Sequence, residues 1–259
     1  MRTFNVAAIV AAAGLALASS ARADGWNGAY AGANAGGGWA QFKPQADPVG
    51  ANSATDFHEQ DLGNQGTGSV VGGQVGYDRQ FGLAVLGVEA DFDGSGINSS
   101  QQTIVPSGNA GATTATDSFM VHENINWMAS LRAKAGVAWG PQWLYVTGGA
   151  AVANGRTNFL ANSNTATGTY GVSTVGNFNL PDSKPGWVAG LGYERAVASN
   201  WSLRAEYLLY HFKGGNTEVM TFPLSPAGSN VSLTMPDYNV NVIRVGVNYR
   251  FGGAPVSGS

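Results

Sequence analysis

Acid, base or metal chemistry in this chain would have to come from three histidines and sixteen carboxylates, because there is no cysteine. Asp56, His58, Glu59 and Asp61 crowd one polar stretch, a spacing able to offer oxygen and imidazole ligands to a cation. No glycine-defined calcium loop accompanies them, and runs of this kind are more often solvated acidic loops. His122 stands beside Glu123, and His211 stands alone. Asp91 and Asp93 fall at i and i+2, on one face of a strand, which suits pairing with bases better than acid/base catalysis. No serine sits in a Gly-x-Ser-x-Gly elbow, so no acid, base and nucleophile set is assembled. These residues predict no enzyme, no cofactor and no metal centre.

The remaining ionisable residues are sorted by parity. Asn241, Ile243, Val245, Val247, Tyr249 and Phe251 alternate with Val240, Val242, Arg244, Gly246, Asn248 and Arg250. Upstream, Ile125, Trp127, Ala129, Leu131, Ala133, Ala135, Val137 and Trp139 alternate with Asn126, Ser130, Arg132 and Lys134. Successive side chains of a strand face opposite ways, so each run is a ribbon with one apolar side. Eight such runs are expected, near 27–40, 69–80, 83–94, 124–139, 143–156, 185–197, 200–213 and 240–251. Tight turns are expected at Phe81-Gly82, Gly140-Pro141-Gln142 and Ser199-Asn200. Long polar loops are expected at 41–68, 95–123, 157–184 and 214–239. The fifth run alternates Leu144, Val146 and Val152 with Tyr145, Thr147 and Ala151, which fits either facing. The first alternates Ala with Gly, Tyr and Asn, and is a poor strand by propensity.

The N-terminus has the three parts of a secretory signal: Arg2, an apolar stretch from Val6 to Ala18, and Ala21-Arg22-Ala23. Cleavage is expected after Ala23, because the stretch is shorter than the roughly 18 to 20 residues of a spanning helix. This gives a signal at 1–23, a barrel at 24–251 and a disordered Gly, Pro and Ser-rich tail at 252–259. Charged residues make up only 11% of the chain, and glycine accounts for 38 of 259 positions. The net charge is −3, or −5 once Arg2 and Arg22 are gone, which leaves no basic footprint for nucleic acid.

Parity alone does not say which face is wet, since a soluble lipocalin-like barrel alternates in the same way. Trp127, Trp139, Trp143, Trp187, Trp201, Tyr193 and Phe251 fall near strand ends, as interfacial aromatic girdles do. The charged parity carries Asp78, Glu89, Asp91, Arg132, Lys134, Glu194, Arg204, Glu206, Arg244 and Arg250. Facing lipid, each base near the midplane would cost roughly 2 to 4 kcal/mol and each acid less. Together these would consume the 5 to 15 kcal/mol by which proteins are stable. Facing inward, they neutralise one another in a lumen that eight strands leave just wide enough for side chains. Arg79, Arg195 and Lys213 lie on the apolar parity but at strand ends, within reach of water. The expectation is an all-β, eight-stranded, antiparallel up-and-down transmembrane barrel with short periplasmic turns and four long extracellular loops.

The ordered pieces Trp26-x-Gly28-x-Tyr30-x-Gly32-x-Asn34-x-Gly36, Gly73 to Tyr77, Gly87 to Phe92, Ser130 to Ala133, Tyr145 to Gly149, Asn200 to Tyr207 and Val245 to Phe251 carry a resemblance. The chain resembles the small outer-membrane β-barrel proteins of α-proteobacteria, described as porin-like or surface antigens, which share the barrel type of the transmembrane domain of outer membrane protein A. The resemblance covers all eight strands and fails in the loops. It implies a non-enzymatic envelope protein of the outer membrane, in contact with lipid and lipopolysaccharide. It also implies recognition by the barrel assembly machinery through Tyr249 and Phe251, although the chain continues past that aromatic. Some relatives are described as haem-binding, which would direct attention to His58 or His122. Alternatives are a narrow channel for small solutes, biased by Arg132, Arg204 and Arg244, and an extracellular ligand or host protein held by the loops.

Overall fold

A computed structural model describes residues 25–43, 45–49, 60–61, 63–109, 113–164, 172–176, 182–214, 217–221, 230–234, 236–252 and 255. The signal-peptide expectation, with Ala21 and Ala23, and nearly all of the 252–259 tail lie outside these residues, as do Asp56, His58 and Glu59.

Among the described residues eight strands form the barrel: β1 (Gly28–Phe42), β2 (Asn64–Phe81), β3 (Ala84–Asn109), β4 (Thr113–Trp139), β5 (Gln142–Asn164), β6 (Asp182–Ala198), β7 (Trp201–Phe212) and β8 (Tyr238–Arg250). Each pairs antiparallel with its neighbour in sequence. β1 closes the ring on β8 in a register from Tyr30–Arg250 to Gln41–Asn239. Closure satisfies the backbone of every barrel strand without leaving an edge. It also orders β1, whose Ala and Gly have little strand preference of their own. The three tight turns fall where expected, and Gly82 (φ 62°) and Gly140 (φ 58°) supply the left-handed backbone that two of them require.

The other end departs from the expectation of plain loops. β3, β4 and β5 run for 26, 27 and 23 residues, far beyond the roughly 9 to 11 that cross a bilayer. The stretch 95–123, expected as a loop, is largely a continuation of the β3–β4 hairpin. Its Ser, Thr, Asn and Gln carry no apolar alternation, so the period that reveals a strand is missing although the ladder continues. A short strand, Val172–Gly176, adds to β5. Four more, Gln45–Val49, Gln60–Asp61, Thr217–Thr221 and Asn230–Thr234, form a separate sheet joining the first and last long connections.

The outer wall is apolar: Val71, Val88, Leu131, Val146, Leu191, Ile243 and Val245 are all more than half exposed. β5 resolves its facing, with Leu144 and Val146 outside and Trp143, Tyr145 and Thr147 buried within. A bulge at Asn126 breaks the strict parity read for β4. It leaves Trp127 on the outside, against Phe92, and turns Ile125 into the interior.

Candidate functional site

The barrel interior is layered. Next to the tight turns, Trp26, Val85, Ala138, Trp143, Tyr145 and Ala196 form an apolar floor. Trp143, expected in an aromatic girdle, is wholly buried here, 5.8 Å from Trp26. Its place near a strand end suggested the interface, but its parity points inward. Toward the long connections, a larger cluster including Phe42, Val70, Ile97, Ile125, Met128, Leu208, Tyr210, Phe212, Tyr238, Val240 and Val242 closes the other end. Between the two lies the ionisable set.

All ten inward residues expected from parity are buried, and Asp93 joins them. Strand register sets their contacts, because Glu89 and Arg132 are opposed across β3–β4 and Glu206 and Arg244 across β7–β8. Arg132 donates to Glu89 through Nη2, to Asp91 through Nε at 3.0 Å and to Glu206 through Nη1 at 3.4 Å. Arg204 Nη1 reaches Glu89 Oε2 at 2.5 Å, and its Nη2 lies 3.3 Å from Glu206 Oε2. Arg244 holds Glu206 at 2.9 Å and Asp93 at 2.6 Å, with Asp91 at 3.5 Å. Lower in the barrel, Arg250 joins Asp78 (2.7 Å) to Glu194 (3.0 Å). Glu194 also accepts from Ser202 and Asn248. Lys134 lies 3.1 Å from Asp78 and is caged by the rings of Tyr30, Trp143 and Tyr145 at 4.6, 4.9 and 5.2 Å.

Two tyrosines join this network by lying over glycines of the next strand. Tyr30 is paired with Gly76 and Tyr145 with Gly192. A Cβ on either glycine would come within 2.3 Å of the tyrosine. The missing side chains let Tyr30 donate to Glu89 (2.5 Å) and Tyr145 to Glu206 (2.8 Å).

Above the upper apolar layer, Glu123 is 1% exposed. It lies about sixteen residues above Trp139 on β4, past the membrane-crossing length. Burial pushes its carboxyl from 4.5 up to about 8, with the charge of Lys184 and a side-chain hydrogen bond from Asn64 pulling the other way. In the sequence Glu123 is marked only by standing next to His122. Nothing in the sequence distinguishes it, because its burial follows from the extended hairpin.

His122 is half-buried, and His211 stacks on Trp187 at 5.3 Å on the outer wall and lies 3.4 Å from Asp237. Among the described residues no group of three or more His, Asp or Glu is placed to hold a metal. At the tight-turn end Tyr249 and Phe251 face outward, 5.4 Å apart edge to face, with Trp201 packed on Tyr249.

Comparison with known proteins agrees with this architecture. A family model described as "Outer membrane protein beta-barrel domain" matches residues 8–251. The 31 kDa outer-membrane immunogenic proteins of Brucella melitensis and Brucella suis are each 31% identical over 232 residues, covering 87% of this chain and 84% of theirs. Solved structures that align include Ail, the attachment invasion locus protein of Yersinia pestis (16% identity, TM-score 0.32, 86% of this chain and 99% of that one). Neisserial surface protein A also aligns (13% identity, TM-score 0.33, 86% and 96%). TM-scores this low add nothing to the fold already described.

Proposed function

The chain belongs to the outer-membrane protein β-barrel domain family and resides in the outer membrane, and from that premise we propose that it is a sealed, non-conducting barrel. Its work is to strengthen the envelope and to present its long-connection end to the outside, with no catalytic step. The observation that carries this reading is the layered interior, in which a paired ionic layer is closed above and below by apolar side chains. A water-filled pore needs continuous polar walls, and neither apolar layer offers any. Ion pairs buried in this way serve as a fixed plug, because separating any one of them strands a charge in a medium of low dielectric.

Export by a signal cleaved after Ala23 and recognition by the assembly machinery through Tyr249 and Phe251 complete the proposal. Lipid and lipopolysaccharide surround the apolar wall. Names given to the Brucella relatives describe immunogenic outer-membrane proteins, which supports a role for the exposed end in contact with other molecules. Planar-bilayer recording tests the central point. Silence is expected from the reconstituted barrel, and reproducible conductance steps that change when Arg204 or Glu206 is replaced would establish the channel reading instead.

A further inference from the structure

The ionic layer is not charge-balanced. Six carboxylates, Asp78, Glu89, Asp91, Asp93, Glu194 and Glu206, face five bases, Arg132, Lys134, Arg204, Arg244 and Arg250, all of them buried. A lone ionised carboxylate in a closed interior costs more than a folded protein can sustain, so the surplus charge must be cancelled inside.

Donors are unevenly shared, and Asp78 Oδ1, Asp91 Oδ1, Asp93 Oδ1 and Glu194 Oε2 are all buried without a hydrogen-bond partner. Glu89 meets Arg132, Arg204 and Tyr30. Glu206 meets Arg132, Arg244 and Tyr145, and Asp91 meets Arg132, Arg244 and Ser130. Asp78 has Lys134 and Arg250, and Glu194 has Arg250 with two neutral donors. Asp93 has one base, Arg244, which it shares with Asp91 and Glu206, and Asn34 as its one neutral neighbour. Its Oδ1 is buried without a partner. That oxygen lies in the notch over Gly72, where an added Cβ would stand 2.0 Å away. Across the same glycine the register places Asn34, whose Oδ1 is also buried without a donor.

We infer that Asp93 is a proton-binding site, holding one proton on its free oxygen beside Asn34 and so bringing the sealed layer to neutrality. The inference rests on the sealed reading of the lumen. A proton there supplies the donor that two orphaned acceptors lack, and leaves five carboxylates facing five bases. Tyr210, whose hydroxyl is also buried nearby, cannot take this part, since its ionisation would add negative charge. Asp91, Glu206, Arg132 and Arg244 are the other ionisable groups around the notch.

Infrared spectroscopy of the folded barrel at pH 7, in a Glu123→Gln background that removes the other buried acid, tests the assignment. One carbonyl stretch of a protonated carboxylic acid is expected, and it disappears in Asp93→Asn. Should Asp93→Asn fail to fold, Asn34→Ala is expected to keep the band and shift it, because the acid loses its acceptor. Absence of the band, or a band indifferent to both variants, overturns the inference. So does a thermal stability that depends on which monovalent cation is present, since a metal ion would then be the counter-charge. Conductance steps would overturn the sealed lumen, whereas a silent barrel without the acid band overturns the proton alone.

Discussion

Replacing Arg204 with methionine keeps an unbranched apolar stem and removes the charge. It strips Glu89 and Glu206 of a guanidinium that stands 2.5 and 3.3 Å from their oxygens. Breaking a buried pair from one side costs about 3–5 kcal/mol. Glu89 keeps Arg132 and Lys134, and Glu206 keeps Arg132 and Arg244, which places the expected loss at the lower end of that range. A loss of about 3 kcal/mol lowers the folding equilibrium constant by about two orders of magnitude. The double variant R204M/E206Q restores the charge balance and should recover at least about 1 kcal/mol of the loss, as coupled neighbours do. Urea unfolding in lipid vesicles, followed by the fluorescence of the seven tryptophans, reads this as a lower midpoint at unchanged slope. A loss under about 1 kcal/mol is what a solvated surface pair gives, and would refute the claim that this layer is closed to water.

Glu123 binds its proton more tightly when folded, at about 8 against an ordinary 4.5, so the folded state holds a proton that the unfolded state releases between those values. Stability should therefore fall as pH rises through that window, by at most about 1.4 kcal/mol per unit, and E123Q should flatten the profile in an unfolding series. Gly192→Ala should displace the Tyr145 ring and break its 2.8 Å bond to Glu206, at a cost of about 1–3 kcal/mol in the same assay. Deleting Phe251 should reduce the amount of barrel reaching the outer membrane, measured by fractionation, and an unchanged yield rejects its assigned role in assembly.

Strand alternation made the barrel and its inward charges readable, because lipid and a filled lumen impose opposite demands on alternate residues. The same rule erred where its premise failed. The bulge at Asn126 reverses the facing of Ile125, and one inserted residue leaves no mark in composition. Val240 and Val242 share the parity of Arg244 but cap the ionic layer, a role set by height along the strand, which parity does not encode. The height of Trp143 along its strand alone points to the membrane interface, whereas it shares the inward parity of Tyr145, and both are buried. Partners in the ionic layer, such as Arg244 with Asp93, lie 151 positions apart and become predictable only once the strand register is known.

β3, β4 and β5 outreach the other staves of the ring, so the rim is not level. Embedded in a membrane, such a molecule has a front and a back: a tall screen rises over one arc of the circumference, and the small sheet formed by the first and last connections rises over the seam. With this end facing outward, as proposed, anything approaching from outside meets a β surface before it meets lipid. Substitutions on that parapet can then alter the proposed outer face while the ring beneath keeps its shape.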